Sequence, residues 1–232
     1  MTKDRMNGII LGVLYIAAAV TSIIAVIFYQ PVLSEQWYMS AANGFQTKVL
    51  VGVLFDFSLV VSAVGTAVML FPYIRYWNEH IALGYLCFRF MEAVFIAMGL
   101  VSILGLVHLS ISYEAGSLAS AENLHGIGLV LQDVHRWTSI LGPNLMLGLN
   151  TFMYSYLLLR TGLIPKPLAL FGMVTAVLVF IAGILEMFGV VEPFSTAKGL
   201  IALPLGVYEM SLAFWLIVKG FNKQKLEKLR VK

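Results

Sequence analysis

Long apolar stretches, separated by short polar segments, dominate the chain. Each is long enough to cross a hydrocarbon core of about 30 Å, which needs about 20 helical residues. The stretches run over Asn7–Tyr29, Val49–Phe71, Ile81–Val107, Ser139–Leu159, Leu168–Val190 and Gly199–Val218. This pattern predicts an all-α polytopic membrane protein, a bundle of six transmembrane helices.

The composition agrees with a membrane protein of one domain. Hydrophobic residues make up 60% of the 232 residues and charged residues 12%, whereas soluble domains carry roughly 25% charged residues. No polar linker divides the chain, so we expect a single membrane domain over residues 1–222 and a basic tail over residues 223–232. The single cysteine, Cys87, excludes an internal disulfide and a Cys-based metal site.

The basic residues predict the orientation of the bundle. If the N-terminus is cytoplasmic, five Lys and Arg before Lys219 and six from Lys219 to Lys232 face the cytoplasm, eleven against three on the opposite side. Because Lys and Arg stay on the cytoplasmic side, both termini are expected there. The basic side holds Lys3, Arg5, Arg75, Arg160, Lys166, Lys219, Lys223, Lys225, Lys228, Arg230 and Lys232, and the other side holds Lys48, Arg136 and Lys198.

The longest segment between spans precedes the fourth stretch, on the outer side. Its middle, residues 121–136, mixes apolar residues with Glu122, His125, Asp133 and His135. This mixture predicts a short helix at the outer membrane interface.

Several short motifs resemble an uncharacterised family of bacterial membrane proteins, domain of unknown function 4386. They are Asn78-Glu79, Ala82-Leu83-Gly84-Tyr85, Phe88-Arg89 with Glu92, Tyr156 to Arg160, Leu163-Ile164-Pro165, Glu209-Met210 and Trp215 to Asn222. The resemblance covers Asn7 to Asn222 and implies a multi-pass protein of the bacterial cytoplasmic (inner) membrane. It implies no activity. The chain departs from the family pattern at Pro143-Asn144 and Asn150 in the fourth span.

Charged residues inside the predicted spans are the main candidates for a site. Charge at the bilayer centre costs at least about 2.5–3.5 kcal/mol, so each charged group needs a partner. Arg89 and Glu92 are three residues apart and therefore share one helix face. The predicted binding cluster, at one depth in the membrane, contains Arg89, Glu92, Glu209, Asp56, Asn150 and Tyr208.

One arginine cannot neutralise three carboxylates. Either some of them are protonated, or a cation, a cationic ligand or water enters the cluster. The alternative is a purely structural cluster that holds helices together, although such polar contacts contribute only about 0.6 kcal/mol on average. Pro143 and Pro204 are expected to kink the fourth and sixth spans, as in helices that line substrate cavities.

Three functions remain open. The first is binding or transport of a small solute, ion or lipid-like molecule at the cluster. The second is a non-catalytic role through assembly with itself or a partner. Small residues suited to close helix contacts are Gly12, Ala17, Gly65, Ala182 and Gly183.

The third function is catalysis by an intramembrane metal-dependent lipid hydrolase, with zinc as a candidate metal. Its candidate ligands are His108, His125, His135, Asp133 and Glu186. The chain lacks HExxH, GxSxG and phosphate-binding signatures, and Glu186 is better placed to pair with Arg136 or Lys198. We therefore expect no catalytic residue, metal site or cofactor. Nucleic-acid binding is also not expected, since the positive charges border the membrane.

Overall fold

The computed structural model describes residues 2–33, 45–114, 121–192 and 195–231, and every regular element within these ranges is helical. In chain order the helices are α1 (Lys3–Tyr29), α2 (Phe45–Ile74), α3 (Glu79–Glu114), α4 (Ala121–Ser139), α5 (Leu147–Thr161), α6 (Lys166–Met187), α7 (Thr196–Val218) and α8 (Lys223–Arg230). A 3-10 turn over Gln30–Leu33 extends α1, and a π-helical segment over Ile140–Met146 joins α4 to α5. The all-α prediction is confirmed for the described residues.

Short polar and glycine residues set several helix ends. The Asn78 side chain accepts a hydrogen bond from the Ile81 amide (3.0 Å) at the start of α3. The Asn222 side chain does the same for the Lys225 amide (3.2 Å) at the start of α8, which satisfies donors that a helix start leaves free. At the end of α5, Gly162 adopts a left-handed conformation (φ 66°) that favours glycine.

Five helical segments of the described chain are long and apolar enough to cross a membrane. They are Lys3–Leu33, Phe45–Ile74, Glu79–Tyr113, Lys166–Met187 and Lys198–Val218. These segments coincide with five of the six apolar stretches in the sequence. The remaining stretch, the fourth, falls on the π-helical segment and on α5, which has only 15 residues. The structure is thus that of a helical multi-pass membrane protein.

The π-helical segment is the local consequence of a proline inside the fourth apolar stretch. Pro143 lies within it, and a proline has no amide hydrogen and clashes with the preceding turn. The π-helical turn accommodates the missing hydrogen bond and the steric clash, and the chain stays helical on either side. The sequence predicted a kink at Pro143, and the structure places an irregular turn there.

Six helices form a closed ring in which each packs against two neighbours. Going round the ring, the order is α1, α2, α3, α5, α6 and α7, and α7 returns to α1. Helix α4 packs against α3. Side chains that point inward from the ring helices therefore face a shared interior.

The ring closes through an intimate contact between α1 and α7. A Cβ atom added to Gly12 would lie 2.7 Å from the Ala213 carbonyl oxygen and 2.6 Å from Cγ1 of Ile217. Near the end of α7, the Arg5 guanidinium donates hydrogen bonds to the carbonyls of Leu216 (2.8 Å), Ile217 and Val218 (3.2 Å). A cation at a helix C-terminus is favourable because the last carbonyls carry partial negative charge.

The basic C-terminal segment folds back onto the bundle. Leu226 and Leu229 of α8 are buried, and the Arg230 guanidinium donates two hydrogen bonds to the Asp4 carboxylate (2.7 and 3.0 Å). This contact places the N-terminal end of α1 and the C-terminal helix on the same face of the protein.

Gly12→Ala is expected to destabilise the bundle because the added methyl group meets a backbone carbonyl that cannot move aside. Overpacking of this kind costs about 1–3 kcal/mol, so thermal unfolding in detergent should shift to lower temperature. The matched control is Gly206→Ala, where no atom lies within 4 Å of the new Cβ. Equal melting temperatures for the two variants would contradict the tight α1–α7 contact.

Candidate functional site

Arg89 and Glu92 form a buried ion pair in the ring interior, as their spacing predicted. The Arg89 Nη1 to Glu92 Oε2 distance is 2.9 Å, and both residues are 3% exposed. The Arg89 Nε–H also donates to the carbonyl of Ala63 on α2 (3.4 Å). Removing either partner leaves a buried charge uncompensated, so the pair holds both side chains in place.

Asn150 joins this pair from α5. Its amide Nδ2 donates to Glu92 Oε2 (2.7 Å) and to the carbonyl of Met146 (2.7 Å), the last residue of the π-helical segment. Asn150 is fully buried, and its Oδ1 has no hydrogen-bond partner among the described residues. We call Arg89, Glu92 and Asn150 the Arg89 cluster. The contact expected for Asn150 is present.

Glu209 lies near the Arg89 cluster but is not paired with it. Glu209 and Arg89 are close enough to interact electrostatically. Within the described residues, however, no cation lies within 4.0 Å of the Glu209 carboxylate. The Glu209 Oε1 atom is buried and lacks a hydrogen-bond partner in the described part of the chain. With Glu209 included, the Arg89 cluster has one cation next to two carboxylates, and the Glu209 carboxylate is the unpaired one.

Tyr208, the neighbour of Glu209, faces α5. Its hydroxyl lies 2.8 Å from the Ser155 Oγ. A Cβ atom at Gly172 of α6 would come within 2.2 Å of Tyr208 Cζ and 2.5 Å of Ser155 Oγ. Because Gly172 has no side chain, the Tyr208 ring of α7 can pack between α5 and α6.

Three further tyrosines surround the cluster, and sequence reasoning missed them. Tyr15, Tyr85 and Tyr154 are at most 1% exposed, and within the described part of the chain their hydroxyls lack a hydrogen bond of normal geometry. Ring centroids lie 6.2 Å apart for Tyr15 and Tyr154, 5.3 Å for Tyr85 and Tyr154, and 6.2 Å for Tyr154 and Tyr208. A signal was available, because Tyr85 precedes Arg89, and Tyr154 follows Asn150, by one helical turn.

Asp56 does not join the Arg89 cluster, and the expectation that it would is corrected here. Its Oδ2 accepts a hydrogen bond from the Tyr29 hydroxyl (3.3 Å). On α2 it lies seven residues from Ala63, the residue whose carbonyl contacts Arg89, which is about 10 Å along a helix axis. The expected shared depth is therefore wrong by about two helical turns, and Asp56 contacts the C-terminal end of α1 through Tyr29.

Glu186 has the partner that the sequence suggested. Lys198 Nζ lies 2.7 Å from Glu186 Oε2, and Asn144 Nδ2 donates to the same oxygen (2.9 Å). His135, in contrast, packs edge-on against the Tyr29 ring at 5.6 Å. Within the described ranges, no three His, Cys, Asp or Glu side chains are grouped closely enough to hold a metal ion. The zinc hydrolase hypothesis therefore has no assembled ligand set in these residues.

The fold and the buried polar interior define a helical multi-pass membrane protein with charged side chains inside its ring of helices. A family model, "Domain of unknown function (DUF4386)", matches residues 10–220. The chain belongs to this family, which confirms the resemblance found in the sequence motifs. No curated protein and no solved structure matches the chain.

Glu92→Gln is expected to lower stability, whereas Glu209→Gln is not. Glu92→Gln leaves the buried Arg89 without its ion-pair partner, at a cost of roughly 3–5 kcal/mol, so the melting temperature in detergent should fall strongly. Glu209→Gln removes an unpaired buried charge and should leave the melting temperature unchanged or raise it. A large loss of stability in Glu209→Gln would contradict the unpaired state of this carboxylate.

Proposed function

We infer that the chain crosses the bacterial cytoplasmic membrane six times, with both termini in the cytoplasm. The π-helical segment and α5 supply the sixth crossing, because together they continue one helical path through the ring. The face that holds Asp4 and Arg230 also carries most of the basic residues, as expected for a cytoplasmic face. The α4 helix exposes Ile127, Val130 and Trp137, which supports an interfacial position on the opposite side.

Cysteine labelling in intact cells tests this topology. In a Cys87→Ser background, Asp133→Cys should react with a membrane-impermeant maleimide, and Lys225→Cys should react only after cell lysis. Both positions are exposed in the structure, so a difference in labelling reports the side of the membrane. The reverse labelling pattern would overturn the proposed orientation.

We propose that the protein binds, and in this way carries or senses, a small positively charged solute or ion at the Arg89 cluster. The observation that carries this proposal is a group of buried polar atoms that lack a hydrogen bond of normal geometry within the described residues. In the described residues these include Glu209 Oε1, Asn150 Oδ1, Thr151 Oγ1 and the hydroxyls of Tyr15, Tyr85 and Tyr154. Each such atom costs about 1–3 kcal/mol if nothing bonds to it, so a polar occupant stabilises the site.

The charge and the chemistry of these atoms favour a cation. Arg89 is matched by Glu92, which leaves the Glu209 carboxylate as the uncompensated charge. Asn150 Oδ1 and the three tyrosine hydroxyls are also oxygen atoms, and oxygen atoms are what hard cations and hydrogen-bond donors prefer. A bound anion would instead face two carboxylates across a low-dielectric interior.

A role through assembly with itself or a partner is the second candidate. Its motivation in the sequence was a set of small residues suited to helix contacts. The structure uses several of them inside the chain: Gly12 packs against Ala213, Gly65 against Leu14, and Gly183 against Asn144. The solute hypothesis therefore has the stronger support.

Cation binding is tested on purified protein in detergent and in proteoliposomes. Sodium, potassium and small ammonium ions are titrated at constant ionic strength while thermal stability is recorded, and proton uptake is followed with an entrapped pH dye. Wild type should be stabilised by at least one of these cations or should take up protons. Glu209→Gln should lose that response, because the unpaired carboxylate is gone.

Glu227→Gln is the matched control, since Glu227 is an exposed residue of α8 and the substitution removes the same charge. This variant should keep the wild-type response. If wild type and Glu209→Gln respond identically to the whole cation panel, the cluster is structural and the proposal fails.

A further inference from the structure

A second polar site lies beside the Arg89 cluster, on the side of the bundle opposite the two termini. It is a cavity of about 220 Å³, which we call the Asp56 cavity. Helices α1 to α4, the π-helical segment and the start of α7 all contribute to its wall. Its polar lining includes the side chains of Ser22, Tyr29, Asp56, Thr138, Ser139 and Asn144.

The Asp56 carboxylate is the uncompensated charge of this cavity. It is 5% exposed, and within the described residues its hydrogen-bond donor is the Tyr29 hydroxyl, at 3.3 Å. No described cation lies within 4.0 Å of it. A desolvated carboxylate with one long hydrogen bond lacks the donors that such groups normally have.

The other titratable groups facing Asp56 do not neutralise it. Lys198 lines the same cavity, but its ammonium is paired with Glu186 at 2.7 Å. His135 Nδ1 lies 3.4 Å from the Gly99 carbonyl, and burial lowers the pKa of its imidazole, so the ring is neutral at pH 7. The cavity therefore carries one net negative charge.

The aromatic and apolar residues that line the cavity favour an organic ammonium ion. The Tyr29 and His135 rings meet edge-to-face at 5.6 Å, and Phe95 adds a third ring. Val26, Leu59 and Ile96 supply apolar surface. Aromatic faces and one carboxylate recognise an organic ammonium group, and within the described residues no three His, Cys, Asp or Glu side chains are grouped here to hold a metal ion. The volume lies below the roughly 300 Å³ at which pockets for drug-sized ligands begin.

We propose that the Asp56 cavity binds a small organic ammonium ion, with its cationic group at Asp56 and one aromatic or branched apolar group against Tyr29, Phe95 and Leu59. The Arg89 cluster is not part of this site, so the inference stands whether or not that cluster binds a solute.

Binding of benzylamine, compared with its neutral analogue benzyl alcohol and with benzoate, tests the proposal. Each compound is titrated at pH 7 into wild-type protein in lipid nanodiscs, with binding measured by calorimetry. Benzylamine should bind about tenfold or more tightly than benzyl alcohol, and benzoate should not bind. Equal affinity for the amine and the alcohol, or no amine binding at millimolar concentration, overturns the proposal without any variant.

Asp56→Asn should lower benzylamine affinity at least about tenfold and abolish the preference over benzyl alcohol. Asp133→Asn is the matched control, since it removes an exposed carboxylate of α4 outside this cavity and should keep wild-type affinity. Unchanged amine affinity in Asp56→Asn, or an equal loss in Asp133→Asn, contradicts a contact between Asp56 and the ammonium group.

Two further variants distinguish the Asp56 cavity from the Arg89 cluster as the place where the amine binds. Leu59→Trp keeps Asp56 but fills the cavity, so it should abolish benzylamine binding even if Asp56→Asn fails to fold. If Glu209→Gln loses the amine and Asp56→Asn keeps it, the amine binds at the Arg89 cluster, which would support the proposed function and overturn the Asp56 site.

Discussion

Burial of the Arg89 guanidinium constrains much of the structure around it. A charge inside a membrane bundle is tolerated only when partners compensate for lost water, and here the partners come from three helices. Glu92 lies on the same helix, the Ala63 carbonyl belongs to α2, and Asn150 reaches Glu92 from α5. The pair therefore fixes the relative depth and rotation of α2, α3 and α5, and α7 then brings Glu209 close to a cation that is already matched.

The π-helical segment connects the two polar regions of the interior, the Arg89 cluster and the Asp56 cavity. Asn144 lies inside it and donates to Glu186, and Asn150 follows it and donates to Glu92 and to the Met146 carbonyl. An irregular turn alters the direction of the side chains after it, which is why such turns recur at functional sites. Through Asn144 and Asn150, one continuous helical path therefore serves both regions.

Each region has one carboxylate without a cation among the described residues. At the Arg89 cluster it is Glu209, and in the other region, two turns along α2 from Ala63, it is Asp56. Buried carboxylates of this kind weaken the fold unless they are protonated or bound. Their presence agrees with the general rule that residues which lower stability are retained where a ligand or proton binds.

The sequence alone determined what depends on spacing along one chain segment. These local properties are the apolar stretches of membrane length, the asymmetry of basic residues and the i, i+3 spacing of Arg89 and Glu92. The stretches gave five helices long enough to cross a membrane, and the spacing gave the Arg89–Glu92 ion pair. Only the tertiary structure decided which residues meet across helices. Apolar length alone sets neither the exact depth of a residue nor the rotation of its helix. Asp56 therefore lies about two helical turns from the level of Arg89 and contacts Tyr29, whereas Tyr15, Tyr85 and Tyr154 point inward around the cluster.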